Sequence, residues 1–160
     1  MNLLLDTHAL IWAANEPQKL PDAVRSAIED PDNHIWISAV SAIEVAIKFR
    51  IGKLKGADEL AARFETVIAG FGFDQLPISV AHASLAGLLP FDHRDPFDRI
   101  LIAQSQIEQY AFVSNEKLFD QLGAHDKRLH AYPGQHADNG PEAFEVAAAF
   151  LKRYLGRAEA

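Results

Sequence analysis

Apolar positions fall into two kinds of run along the 160-residue chain. Short unbroken runs read as strands buried on both faces, and longer stretches with apolar residues three and four apart read as helices. Met1 to Leu5 is the first short run, a strand without alternation, and Asp6-Thr7 then caps a helix to about Ala14. A turn at Glu16-Pro17 leads to a helix from Pro21 to Glu29, with Pro21 at its first position and Ala23, Val24, Ala27 and Ile28 on one face. His34 to Ile37 predicts a second strand. Ser38 opens a helix that runs to about Arg50, and Gly52 ends it. Ala57 to Ala69 reads as one helix, Phe73 to Leu76 as a third strand and Ser79 to Leu88 as a helix ended by Pro90. After the polar loop Asp92 to Asp95, a helix runs from Pro96 to about Gln109, followed by a fourth strand from Ala111 to Ser114. Glu116 to Leu122 predicts a short helix and Leu129 to Tyr132 a weak last strand.

Short strands alternating with helices predict an α/β fold, with a mainly parallel central sheet covered on both faces in an α/β/α sandwich. In such sheets ligands bind at the carboxyl ends of the strands, where the strand order reverses. Residues 1–132 make up this domain. The rest, 133–160, reads as a loop after Pro133-Gly134 and an amphipathic helix from Pro141. Its stripe of Phe144, Ala147, Ala148, Leu151 and Leu155 packs on the domain or on a partner.

Composition narrows the chemistry. At 49% apolar and 23% charged the chain is globular. With no cysteine, disulfides, thiolate zinc sites and thiol nucleophiles are excluded. No apolar run reaches the roughly 18 to 20 residues of a membrane span. Asp6 interrupts the start too early for a signal peptide, so a cytoplasmic protein is the expectation. The net charge of −7 disfavours general nucleic-acid binding, so any phosphate contact needs a local basic patch or a metal.

Four carboxylates stand where the sheet would gather ligands. Asp6 directly follows the first strand, as a metal ligand or base or as a helix N-cap. Glu44 lies in the nearly apolar stretch Ala39 to Ile47, where an unpaired buried charge costs several kcal/mol or more. A capping box with Ser41 would account for it, but Ser38 is the better cap. Asp95 suits a cap before Pro96, which leaves Asp98 in the first turn for the helix dipole or for chemistry. Glu116 follows the fourth strand and Ser114-Asn115, favouring a helix dipole or joining the others. Four converging acids repel one another without a cation, and hard oxygen donors without cysteine suit Mg²⁺ or Mn²⁺. Such a site activates water and stabilises the leaving oxygen of a phosphodiester.

Three segments together carry a family resemblance: Met1 to Trp12 (MNLLLDTHALIW), Ile37 to Lys48 (ISAVSAIEVAIK) and His93 to Ala103 (HRDPFDRILIA). They resemble PIN-domain proteins, and among these the VapC-type ribonuclease toxins of toxin–antitoxin pairs, over Met1 to about Tyr132. The resemblance implies an α/β/α sandwich, Mg²⁺- or Mn²⁺-dependent endoribonuclease activity, usually a homodimer, and a cognate antitoxin that blocks the site. Asp6, Glu44 and Asp98 match the family's three acids, and Asp95 matches a frequent neighbour of the third. The fourth acid is normally Asp after a Thr-x step; here Ser114-Asn115-Glu116 takes its place with one more methylene.

Lys48, Arg50, Lys53 and Lys55 form a basic cluster that either holds RNA phosphates or favours a helix C-terminus. Arg94 and Arg99, beside the third acidic motif, either hold the acids or meet the substrate. None of the seven histidines has zinc-hydrolase spacing, and Trp12 and Trp36 read as core. The expectation is a metal-dependent endoribonuclease. One rival is a PIN fold kept only for binding RNA or protein. The other is a phosphatase with Asp6 as nucleophile, but His8 stands where a second Asp belongs.

Overall fold

The strand that opens the chain becomes the centre of the sheet. In a computed structural model that describes residues 1–90, 95–114 and 129–131, β1 (Asn2–Leu5) pairs with β2 (His34–Ser38) on one side and β4 (Ala111–Ser114) on the other. β3 (Asp74–Leu76) lies outside β2 and β5 (Leu129–Ala131) outside β4, giving a parallel five-stranded order β3-β2-β1-β4-β5. Leu3, Leu4 and Leu5 are all at most 1% exposed, which is why β1 is apolar at every position.

Side chains of β1 alternate between two cores. Leu3 and Leu5, with Ile35, Ile37 and Val113, face one cluster. Its helices are α1 (Thr7–Asn15), α2 (Asp22–Glu29), α3 (Ala39–Arg50), α4 (Asp58–Ala62) and α5 (Phe64–Gly70). They contribute Ala9 and Leu10, Val24 and Ala27, Val45, Leu60 and Ile68. Leu4 and Phe112 face the other cluster with Leu101 and Ile102 of α7 (Pro96–Glu108). Each such large side chain contributes about 1.5–3 kcal/mol when fully buried.

The α/β fold and the strand positions agree with the sequence pattern, and Leu129–Ala131 is a strand as expected. One helix differs. The stretch 57–69 breaks at Arg63 (φ −137°, ψ 43°) into α4 and α5. In one continuous helix Leu60 and Ile68 would point about 80° apart; with the break both are buried. Pro21 precedes its helix as N-cap and is not its first residue. The expected helix at 116–122, and the loop and amphipathic helix of 133–160, lie outside the described residues.

α6 (Val80–Leu88) and α7 form an antiparallel hairpin tied at both ends. Arg99, at the start of α7, donates from Nε to Ala86 O (2.7 Å) and from its terminal nitrogen to Leu89 O (2.9 Å) and Gly87 O (3.3 Å). Those carbonyls at the end of α6 have no partner within their own helix. At the other end, His82 Nδ1 accepts from Ser79 N–H at 3.1 Å and Nε2 meets Glu108 Oε1 at 3.0 Å. Gln109 then takes a left-handed conformation (φ 59°), and the Ser105 hydroxyl donates to Tyr110 O at 3.0 Å, turning the chain into β4. The Tyr110 ring stacks on Trp36 with centroids 5.1 Å apart. Burial first, and then the carboxylates of Glu108 and Asp74, raise its phenol above the ordinary pKa of 10.0.

Candidate functional site

The order β3-β2-β1-β4-β5 places the reversal between β1 and β4. Asp6 is the residue that leaves β1 at that point, and its N–H donates to Val113 O at 2.9 Å. Its side chain is almost wholly buried, 3% exposed. Oδ1 accepts from Ala9 N–H at 2.6 Å, so Asp6 is the N-cap of α1. Oδ2 accepts the hydroxyl of Ser114, the last residue of β4, at 2.7 Å. The cap and the switch-point position expected from sequence are therefore one residue in one geometry. Two neutral donors hold the carboxylate in a single rotamer.

Glu44 reaches the same region from α3. Ser38 accepts from Val40 N–H at 3.0 Å and caps α3, so no capping box involves Glu44. Ser41, Glu44 and Lys48 occupy one face of the helix, and that face meets α1. The Thr7 hydroxyl donates to Ser41 Oγ at 3.1 Å, and Lys48 Nζ donates to His8 Nε2 at 3.3 Å. Between these contacts Glu44 Oε1 pairs with Lys48 Nζ at 2.5 Å, the two side chains being 13% and 27% exposed. The first member of the expected basic cluster is thus the counter-ion of the second acid.

The third motif divides its work. Asp95 caps α7, accepting from Phe97 N–H at 2.9 Å, with Pro96 as the first helical residue. Asp98 lies partly buried in the first turn. Because α7 leads through the turn at Gln109 into the start of β4, it runs against the strands, and its first turn stands toward their carboxyl ends. Arg99, read from sequence as a holder of acids or a substrate contact, caps α6. Arg50 is exposed in the last turn of α3, where its charge favours the helix dipole. Glu116 and Arg94 lie outside the described residues.

Asp6, Glu44 and Asp98 offer only carboxylate oxygens, and the Ser114 hydroxyl is close by. That donor chemistry fits a hard divalent cation. Among the described residues no three acidic or histidine side chains come close enough to cage an ion by themselves. Mg²⁺ does not require such a cage, since it keeps several waters and is usually held by one or two carboxylates plus substrate phosphate. Sequence reasoning missed the hydroxyl scaffold. Ser114 reads as a cap for the following helix, yet its hydroxyl turns back to Asp6, 108 residues earlier. The available signal was a serine ending an apolar strand beside the first acid's strand.

The family model of the PIN domain matches residues 3–124. No curated protein matches the sequence. Among solved structures the chain is similar to one in the crystal structure of VapBC2 from Rickettsia felis bound to a DNA fragment from their promoter. That likeness has a TM-score of 0.59 at 17% identity and covers 82% of this chain and 97% of that one. A chain of a toxin–antitoxin complex from Klebsiella pneumoniae aligns with a TM-score of 0.47 at 19% identity, over 71% of this chain and 86% of that one. At such identities the first likeness speaks for the fold alone.

Proposed function

The chain belongs to the PIN-domain family, and on that premise we propose that it is a metal-dependent endoribonuclease, the toxin of a toxin–antitoxin pair. The observation that carries this reading is Asp6: a buried carboxylate fixed by Ala9 N–H and Ser114 at the reversal of strand order. A buried carboxylate needs a partner on each oxygen whatever its role, so what favours chemistry here is its place at the reversal of strand order. In this reading Asp6, Glu44 and Asp98 hold Mg²⁺ or Mn²⁺, and Glu116 assists a second ion or a water. The bound ion supplies Lewis acidity and a water of lowered pKa beside the phosphodiester. The chain's own part is orientation. Ser114 and Ala9 fix the Asp6 carboxylate, the Thr7–Ser41 bond holds the first turns of α1 and α3 together, and Arg99 anchors the turn that carries Asp98.

The partners in this reading are RNA, a cognate antitoxin and a second copy of the chain. Ile43 and Ile47 on α3 and Ile51 at its C-cap, all exposed, suit a protein contact. No helix of the described residues is long and apolar enough to cross a membrane. A second reading, a PIN fold kept for binding, draws on the exposed Ile43 and Ile47 of α3. Incubating purified protein with total RNA, with Mg²⁺ or Mn²⁺ and again with EDTA, separates the two. Cleavage abolished by EDTA and by Asp6→Asn supports the nuclease. Intact RNA in every condition leaves the binding module.

A further inference from the structure

An open cleft of about 590 Å³ lies between α1 and the loop that joins α3 to α4, next to the acids but not made of them. That volume is within the range of about 300–1,000 Å³ typical of ligand pockets. His8 and Trp12 line it from α1, and Lys48, Lys53 and Lys55 from the other side. Glu44 stands about one helical turn before Lys48 on α3, and Asp6 caps α1 just before His8.

The charge of the cleft runs against that of the protein. The whole chain carries −7, yet three lysines converge here. The acidic Glu16 in the lining is already paired with Lys19 at 2.8 Å. Lys48 is shared with Glu44, while among the described residues no carboxylate pairs with Lys53 or Lys55. The backbone holds the charges together. Gly52 (φ +73°) ends α3 in a Schellman turn, with Lys53 N–H donating to Lys48 O and Gly52 N–H to Phe49 O, both at 2.9 Å. In such a turn the residues at the two ends of the longer bond are frequently an apolar pair in contact. Here they are Lys48 and Lys53, two like charges. Gly56 (φ +78°) completes the loop that carries Lys55. A turn that gathers lysines on the wall of a cleft also lined by an indole and an imidazole matches an anionic ligand that has a ring.

We infer that this cleft is a nucleotide subsite: Trp12 stacks a base flanking the cleaved bond, and Lys53 and Lys55 bind that nucleotide's phosphate. The inference rests on the ribonuclease reading and extends it, because it names where the strand lies on leaving the acids. Aromatic stacking is tolerant of base identity, and lysine contacts to phosphate carry no sequence information. The subsite therefore supplies affinity and register to single-stranded RNA without choosing its sequence.

The test measures binding without turnover. A fluorescein-labelled 2′-O-methyl octaribonucleotide is titrated with full-length protein in EDTA, and anisotropy is read over a range of salt. Lys53→Ala with Lys55→Ala removes two exposed charges that the fold does not use. It should weaken binding roughly ten- to thirtyfold near 0.1 M salt and flatten the slope of log K against log salt by about 1.4. Trp12→Leu keeps an apolar side chain against the core and should weaken binding about tenfold while leaving the salt slope unchanged. Wild-type affinity and slope in the lysine variant overturn the inference, as does a protein that binds no oligonucleotide. Cleavage of total RNA, scored separately, decides the nuclease reading. Cleavage with unaltered binding in the variants removes the subsite alone, and altered binding without any cleavage removes the nuclease alone.

Discussion

Among the described residues two titratable side chains, His82 and Asp6, are almost wholly buried, and they stand at very different places in the topology. At the end of the α6–α7 hairpin, His82 is 2% exposed and both its ring nitrogens have partners, Ser79 N–H and Glu108. At the switch point Asp6 is 3% exposed and both its oxygens have partners, Ala9 N–H and the Ser114 hydroxyl. By burial and by hydrogen bonding they look alike. They differ in position and in kind. His82 links the ends of two packed helices. Asp6 lies where the strand order reverses, at the start of α1, and ties that helix to the end of β4. A buried titratable group is therefore not a site in itself; its place in the topology decides.

Substitutions can break or sharpen that contrast. The largest effect is expected for Asp6→Asn. Asn still accepts from Ala9 N–H and caps α1, while Ser114 can rotate to accept from the new amide, so the fold should hold within about 1 kcal/mol. Cleavage should fall roughly a thousandfold or more, about 4 kcal/mol of transition-state stabilisation. Paired RNA cleavage in Mn²⁺ and thermal melting in EDTA report both. Full activity in this variant would make Asp6 the equivalent of His82, a structural group only.

The converse test is His82→Ala. It removes a buried ring and strands Ser79 N–H, so urea unfolding should show a loss of about 2–4 kcal/mol. Cleavage per folded molecule should stay at the wild-type level, and a specific loss of activity would erase the distinction between the two residues.

Ser114→Ala probes the scaffold of Asp6. The buried hydrogen bond to Asp6 goes, at a cost of about 1 kcal/mol in melting or urea unfolding. If Asp6 holds the ion as proposed, the loss of a partner that orients it should lower cleavage or Mn²⁺ affinity about tenfold. Stability lost with activity untouched would return Ser114 to a purely structural role.

Smallest is Lys48→Met. The ion pair with Glu44 is partly exposed, so its loss should change stability by less than about 1 kcal/mol. With the competing cation gone, Mn²⁺ should bind a few-fold more tightly, about threefold, in a calorimetric titration. Weaker Mn²⁺ binding would mean that Lys48 helps to shape the ion site and does not compete with it.

Much of this was legible in the chain because the determinants are local. The apolar run Leu3 to Leu5, the caps Asp6, Ser38, Ser79 and Asp95, and the acids placed after strands or at the start of a helix follow from short-range rules of periodicity and capping. The three motifs lay close enough to a known pattern to mark Asp6, Glu44 and Asp98 before any coordinates. Local rules failed where distant residues meet. Nothing near Arg63 announces a break, since the break answers to the burial of Leu60 and Ile68 against the sheet. Arg99 has a free choice of partners in the sequence, and only the hairpin brings the end of α6 to it. Trp12 reads as core from its spacing and does pack against the core, and only the approach of the α3–α4 loop also makes it part of the wall of a cleft. The chain by itself determined the strands and most of the helices and caps, because hydrogen bonds within a turn and burial of adjacent side chains act over a few residues. The tertiary structure alone decided which serine orients Asp6, which lysine answers Glu44 and which lysines gather in a cleft, because those contacts depend on strand order and helix packing across the whole fold.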